Sequence, residues 1–166
     1  DRDKGLLPVK EAHLPQALEV LDETVNRIAE QAYEDLAPAI DRVWLDAIEA
    51  VRSDLRTWLE KVAEQDGWVP IHFEFGFGFK AVKERDPASC PEPVTLSSGV
   101  MVHGVVDLIE RSEDGQRLRV TDHKTGRDRV TKGIVIGHGE YLQPVLYGLA
   151  IERALKRAVS EGRLLY

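Results

Sequence analysis

The hydrophobic period of the chain changes from helical to strand-like partway along, and this change restricts the possible folds more than any other feature. Leu14, Leu18, Leu21, Val25, Ile28 and Ala32 form one helical stripe, and Ile40, Val43, Trp44, Ile48, Val51, Leu55, Trp58, Leu59 and Val62 form a second. The spacing predicts two helices, the second long, with Pro38 in its first turn and Asp66-Gly67 at its end. Ile71, Phe73, Phe75, Phe77 and Phe79 then alternate with His72, Glu74, Gly76, Gly78 and Lys80, the pattern of a strand with one apolar face. Residues 84–98, rich in Pro, Ser and acidic groups, read as a loop. Val100 to Arg111 and Arg117 to Lys124 read as two strands joined through Glu113–Gln116, with Asp114-Gly115 as the turn pair. Gly126–Gly139 is irregular. Helical spacing returns over Tyr141–Ser160, with Gly162 as terminator and Arg163–Tyr166 opening a further strand. The order is helices, three strands, helix and strand.

Composition removes several function classes. A chain of 166 residues, 43% of them hydrophobic, buries roughly 70% of its unfolded surface without staples. The lone Cys90 cannot form an internal disulfide, and no run of about 18 apolar residues suggests a membrane span, so a cytoplasmic protein is the default. The formal net charge is −7, with 22 basic and 29 acidic side chains, which argues against nucleic-acid binding through bulk charge alone. That charge is uneven: residues 1–66 carry −8, whereas residues 111–132 carry +3. His72, His103 and His138 lack the spaced His or Cys partners that zinc needs. Gly137-His138-Gly139 ahead of a helix could take an anion on backbone N–H groups, but no Walker pattern is present.

Turn geometry supplies the chemistry. With Asp114-Gly115 as a two-residue turn, Asp107 faces Asp122 and Val105 faces Lys124. Opposed carboxylates about 5 Å apart repel unless something neutralises them, and carboxylate oxygens are natural ligands of Mg²⁺ or Mn²⁺. Lys124 is two residues beyond Asp122 and shares its face. A solvated cross-strand charge set would use the same residues. What weighs against it is Asp107 lying within the apolar run Val102–Ile109, where an unpaired charge is costly.

Gly104-Val-Val-Asp107, the hairpin, Val120-Thr-Asp122-His-Lys124-Thr-Gly126 and Tyr141-Leu-Gln143-Pro-Val-Leu-Tyr147 together resemble the RecB and AddB exonucleases of the PD-(D/E)XK nuclease superfamily. The ordered match runs over about residues 71–153. The resemblance implies an α/β, restriction-endonuclease-like core over 69–166, a single compact domain with a central mixed sheet flanked by helices, and a helical segment over 1–68 packed on it, as a fragment of a longer protein. It implies a metal-dependent DNA exonuclease of a repair or recombination helicase-nuclease, with DNA ends or single strands as substrate and a helicase as partner or fused domain. Asp107, Asp122 and the main-chain carbonyl of His123 would ligate Mg²⁺ or Mn²⁺, and Lys124 would orient or activate water and offset phosphate charge. Gln143 and Tyr147 would support the site and contact the DNA backbone, and Glu74 is a site-support candidate. The His123 side chain is expected on the opposite face. The upstream metal-side residue of the family is His13, Glu30 or Glu34, with nothing to choose between them, or is absent from this chain. With Cys90 alone, the chain cannot build the iron–sulfur cluster of some members. The alternative function is a nuclease-like module without catalysis that binds DNA or acts as a scaffold.

Overall fold

The structure, a computed structural model, describes residues 6–65, 67–80, 85–124 and 142–165. The expectations for Asp66, Gly126–Gly139, Gly137-His138-Gly139, Tyr141 and Tyr166 lie outside those residues. The chain divides into two compact units, residues 1–66 and 67–166.

In the first unit a 3-10 turn over Glu11–His13 leads into α1, Leu14–Leu36, and then α2, Asp41–Ala63. Both helices are long, 23 residues each. Pro38 lies between them rather than in the first turn of α2. Ala37 turns left-handed at φ 43° and ends α1, and the residue before a proline is sterically kept out of the helical region. Val9, Ala17, Leu59 and Ala63 form a small buried core, with Leu14, Leu18, Leu21 and Trp58 packed on it. Trp44 meets Tyr33 edge-on at 6.0 Å, so both helix tryptophans are packing residues. Arg52 donates to Asn26 at 2.7 Å and Arg56 pairs with Asp22, which ties α1 to α2 through their polar flanks.

The second unit is a mixed sheet of order β1-β4-β5-β6, with a two-stranded ribbon β2-β3 beside it. The strands are β1 Trp68–Phe77, β2 Val94–Thr95, β3 Met101–Val102, β4 Gly104–Ser112, β5 Leu118–His123 and β6 Val159–Leu165. β4 runs antiparallel to β1 and β5, and β6 runs parallel to β5. A crossover containing α3, Gln143–Leu155, joins β5 to β6, as a parallel pair requires. Phe75, Phe77, Val106, Ile109, Leu118, Val120, Ala150 and Ile151 are buried in one cluster that α3 shares with the sheet.

Four expectations for this unit need correction. The alternation of β1 is broken by a bulge between Pro70 and His72 and by Glu74 at φ 53°. Phe75 and Phe77 are therefore buried while Phe73 and Phe79 are each 37% exposed. The expected strand from Val100 to Arg111 is split at His103, because Met101–Val102 pairs with β2 while β4 pairs within the main sheet. The hairpin turn spans Ser112–Gly115, with the Gly115 N–H donating to the Ser112 carbonyl at 2.8 Å and Gly115 at φ 74°. The register is nevertheless the expected one, with Leu108 opposite Thr121 and Arg111 opposite Leu118.

The fourth concerns Gly162, which is a strand residue and not a helix terminator. α3 ends at Lys156 in a left-handed conformation, and β6 begins three residues later. A Cβ on Gly162 would lie 2.5 Å from the Pro144 carbonyl oxygen, so glycine is required for α3 to cross β6 closely. Gly162→Ala is expected to lower stability by about 1–3 kcal/mol through overpacking, measured as a lower urea midpoint.

Charged residues are buried in the sheet as well as apolar ones. Glu110, 5% exposed, receives two bonds from Arg119 at 2.7 and 2.8 Å and one from Arg163 at 3.0 Å. Arg163 also donates to Thr121 at 2.6 Å, and the Arg119 guanidinium lies 4.5 Å from the centre of the Trp68 ring. Glu110→Ala removes the buried carboxylate that the Arg119 and Arg163 guanidinium groups share. It should cost about 3–5 kcal/mol in chemical denaturation, more than Gly162→Ala.

Candidate active site

The hairpin register carries Asp107 and Asp122 to neighbouring positions, because the paired residues Leu108 and Thr121 lie directly beside them. Asp122 is 6% exposed near the end of β5. Parallel pairing with β6 continues past it, and the Lys124 N–H donates to the Leu165 carbonyl at 2.8 Å. Lys124 is thus held where strand alternation brings its side chain back beside Asp122. The Lys124 Nζ lies 2.5 Å from one carboxylate oxygen of Asp122.

Gln143, the first residue of α3, joins the groups. Its amide Nε2 donates to Asp122 Oδ1 at 2.7 Å and to the Tyr147 hydroxyl oxygen at 3.1 Å. Its Oε1 accepts from Lys124 Nζ at 2.8 Å. Only one orientation of the amide meets an acceptor on one side and a donor on the other. Tyr147, one helical turn later, packs edge-on against Phe77 at 6.1 Å. A Cβ on Gly104 would lie 2.9 Å from the Tyr147 ring, so the small residue at the start of β4 lets Tyr147 close against the sheet.

Asp107 is more open, with its side chain 30% exposed. It accepts the His123 backbone N–H at 2.6 Å. The His123 imidazole Nδ1 lies 3.7 Å from the same oxygen. The side chain therefore sits beside Asp107, contrary to the expectation that it would point away, because the strand end at His123 is drawn to this carboxylate. Glu74 falls opposite Asp107, between the paired residues Phe73–Leu108 and Phe75–Val106. Partial desolvation, and then the Asp107 carboxylate, hold the Glu74 carboxyl above its ordinary value, while Arg85 and His123 pull it back. The hydrogen bond to Asp122 raises the Lys124 ammonium above its usual value, so Lys124 is a cation and a donor at neutral pH.

The donor set suits a hard divalent ion. Asp107 and Asp122 offer carboxylate oxygens at adjacent strand positions, and the chain between Asp122 and Lys124 offers a carbonyl at His123. Mg²⁺ is commonly held by one or two carboxylates, with water and substrate oxygens completing its shell. No group of three His, Cys, Asp or Glu side chains suited to a metal occurs among the described residues. His13, Glu30 and Glu34 are exposed residues of the helical unit.

Sequence reasoning missed two neighbours. Asp86, 7% exposed, accepts from the Phe73 and Ala88 N–H groups at 3.3 and 2.9 Å and lies 3.1 Å from His72 Nδ1. It fastens the loop after β1 back onto that strand. Arg85 lies 4.7 Å from the centre of the Phe79 ring. Both residues sit in a segment whose polar composition reads as loop, and nothing local in the sequence marks either as anchored.

Comparisons with known proteins identify the family. A family model described as the PD-(D/E)XK nuclease superfamily matches residues 5–166. One subunit of an ATP-dependent helicase/deoxyribonuclease from Anoxybacillus flavithermus is 28% identical over 141 residues, covering 76% of this chain and 11% of that protein. The chain thus spans about a tenth of the length of that relative. No helix among the described residues is long and apolar enough to cross a membrane. The motif residues, the mixed sheet and the family match together assign the chain to the PD-(D/E)XK nuclease superfamily.

Proposed function

We propose that this chain is a Mg²⁺- or Mn²⁺-dependent deoxyribonuclease domain that hydrolyses phosphodiester bonds in linear or single-stranded DNA. The observation that carries the reading is the Gln143 amide, which touches Asp122, Lys124 and Tyr147 at once and so assembles the motif residues of β5 and α3 into one cluster. Asp107, Asp122 and the His123 carbonyl would hold the ion, which would supply positive charge against the phosphate oxygens in the transition state. Lys124, kept cationic by Asp122, orients the attacking water and donates toward the phosphate as negative charge develops. Gln143 positions both Asp122 and Lys124, Tyr147 supports Gln143 and faces the DNA backbone, and Glu74 lines the site beside Asp107.

The relative is by name part of a helicase/deoxyribonuclease. On that basis we place the domain in an exonuclease that works with a helicase on DNA ends in repair or recombination, in the cytoplasm. The helical segment and the sheet-bearing core, taken as 1–68 and 69–166, would serve one such nuclease.

Incubating the purified chain with end-labelled single- and double-stranded DNA and Mn²⁺ tests the reading. Cleavage is expected, and Asp122→Ala and Lys124→Ala should each reduce its rate by at least about a hundredfold. EDTA should abolish it. DNA binding without cleavage by the unaltered chain would instead establish the binding or scaffold role. Gln143→Leu keeps the motif carboxylates and the lysine but removes their link. A loss of about 10–100-fold is expected, read as kcat in the same assay.

A further inference from the structure

Beyond the motif cluster, one cation stands at the edge of the site with no counter-group bonded to it among the described residues. Arg85 follows β1 in sequence and folds back over it. Its guanidinium lies against the Phe79 ring at 4.7 Å, and Phe79 in turn meets His103 edge-on at 5.1 Å. The backbone makes room for this stack at two glycines. A Cβ on Gly76 would stand 3.0 Å from the Arg85 Cδ and 3.1 Å from Nη1, and one on Gly78, at φ 80°, would stand 2.5 Å from the His103 Cβ. The stack is thus a built feature with its arginine held on an aromatic face, an arrangement that lowers the entropy lost when the fork binds an acceptor.

Among the described residues Arg85 has no acceptor for that fork, and its Nη1 is buried without a partner. Glu74 feels its charge but is not bonded to it. An arginine donor left unsatisfied beside the Glu74 carboxylate needs an explanation, and a phosphate oxygen is an acceptor that a guanidinium fork matches well. Glu74 lies opposite Asp107 in the strand register, so Arg85 borders the reacting centre from the β1 side, whereas Lys124 and Gln143 border it from the β5 and α3 side.

We propose that Arg85, braced by Phe79, is a strand-positioning residue that contacts a backbone phosphate of single-stranded DNA flanking the scissile bond. This rests on the nuclease reading above and extends it to how the strand is held. Such a contact would let a chain of net charge −7 bind DNA, since a local cation facing the strand counts for more than the overall charge at ordinary ionic strength.

Fluorescence anisotropy of the full chain with a fluorescein-labelled oligo-dT in EDTA, across a salt series, tests the proposal without cleavage. Arg85→Ala should weaken binding about tenfold and lower the salt slope by about 0.7. Arg85→Lys should keep the slope while losing part of the affinity, and Phe79→Leu should weaken binding about threefold. The Arg85→Ala loss should persist in a Glu74→Gln background, as a direct contact requires. Thermal unfolding confirms that each variant is folded. Unchanged affinity and slope in Arg85→Ala, or a loss that vanishes with Glu74→Gln, overturns the proposal while leaving the nuclease reading standing. An unaltered chain that binds no oligonucleotide overturns the proposal, and the Mn²⁺ cleavage assay then decides the nuclease reading separately.

Discussion

The antiparallel register of β4 against β5 is the constraint from which the site follows. Leu108–Thr121, Ile109–Val120 and Arg111–Leu118 pair in one unbroken series, and a slip of one residue would move every side chain of either strand to the other face. In this register Ile109, Leu118 and Val120 fall into the core while Asp107 and Asp122 arrive together just beyond the last β4–β5 pair, Leu108–Thr121. The apolar residues lock the pairing, and the carboxylates inherit their positions from it. An acidic pair that would repel in isolation is thereby held together by packing around it.

The register places the carboxylates, but close backbone approach brings α3 to them. Gly162 lets the first turn of α3 cross β6, and Gly104 lets Tyr147 settle against β4. Both contacts set the depth of the helix, and so bring Gln143 within hydrogen-bonding reach of Asp122 and Lys124. The buried Glu110–Arg119–Arg163 cluster links β4, β5 and β6. Removing one partner would leave the others charged in a poorly hydrated place, so the cluster ties the three strands to a single arrangement. Polar residues therefore form two clusters in this sheet, one holding the strands and another gathering Asp122, Lys124, Gln143 and Tyr147.

Much of this was legible along the chain. The switch in hydrophobic period separates helices from strands, and the Asp-Gly pair gives the hairpin register even though the turn itself spans Ser112–Gly115. The spacing of Gln143 and Tyr147 puts them on one helical face. Legibility failed where a single backbone residue departs from its period. Nothing in Phe73-Glu74-Phe75 announces a left-handed Glu74, so strict alternation assigns Phe73 to the interior when it is half-exposed. Gly162 has the sequence environment of a helix terminator, and its true reason, the Pro144 carbonyl, comes from a residue far along the chain. The same holds for Asp86, whose partners Phe73 and His72 belong to β1.

By itself the sequence determined the coarse order of elements and the hairpin pairing that brings Asp107, Asp122 and Lys124 together, because periodicity and turn chemistry act over a few residues, while Gln143 and Tyr147 joined that group only through the family resemblance. Only the tertiary structure decided which side of Asp107 the His123 ring would occupy, that Glu110 and Arg119 would be buried rather than solvated, and that Arg85 would fold back over Gly76 onto Phe79. These outcomes depend on how closely distant backbones approach, and steric contact between distant segments leaves no local pattern in a sequence.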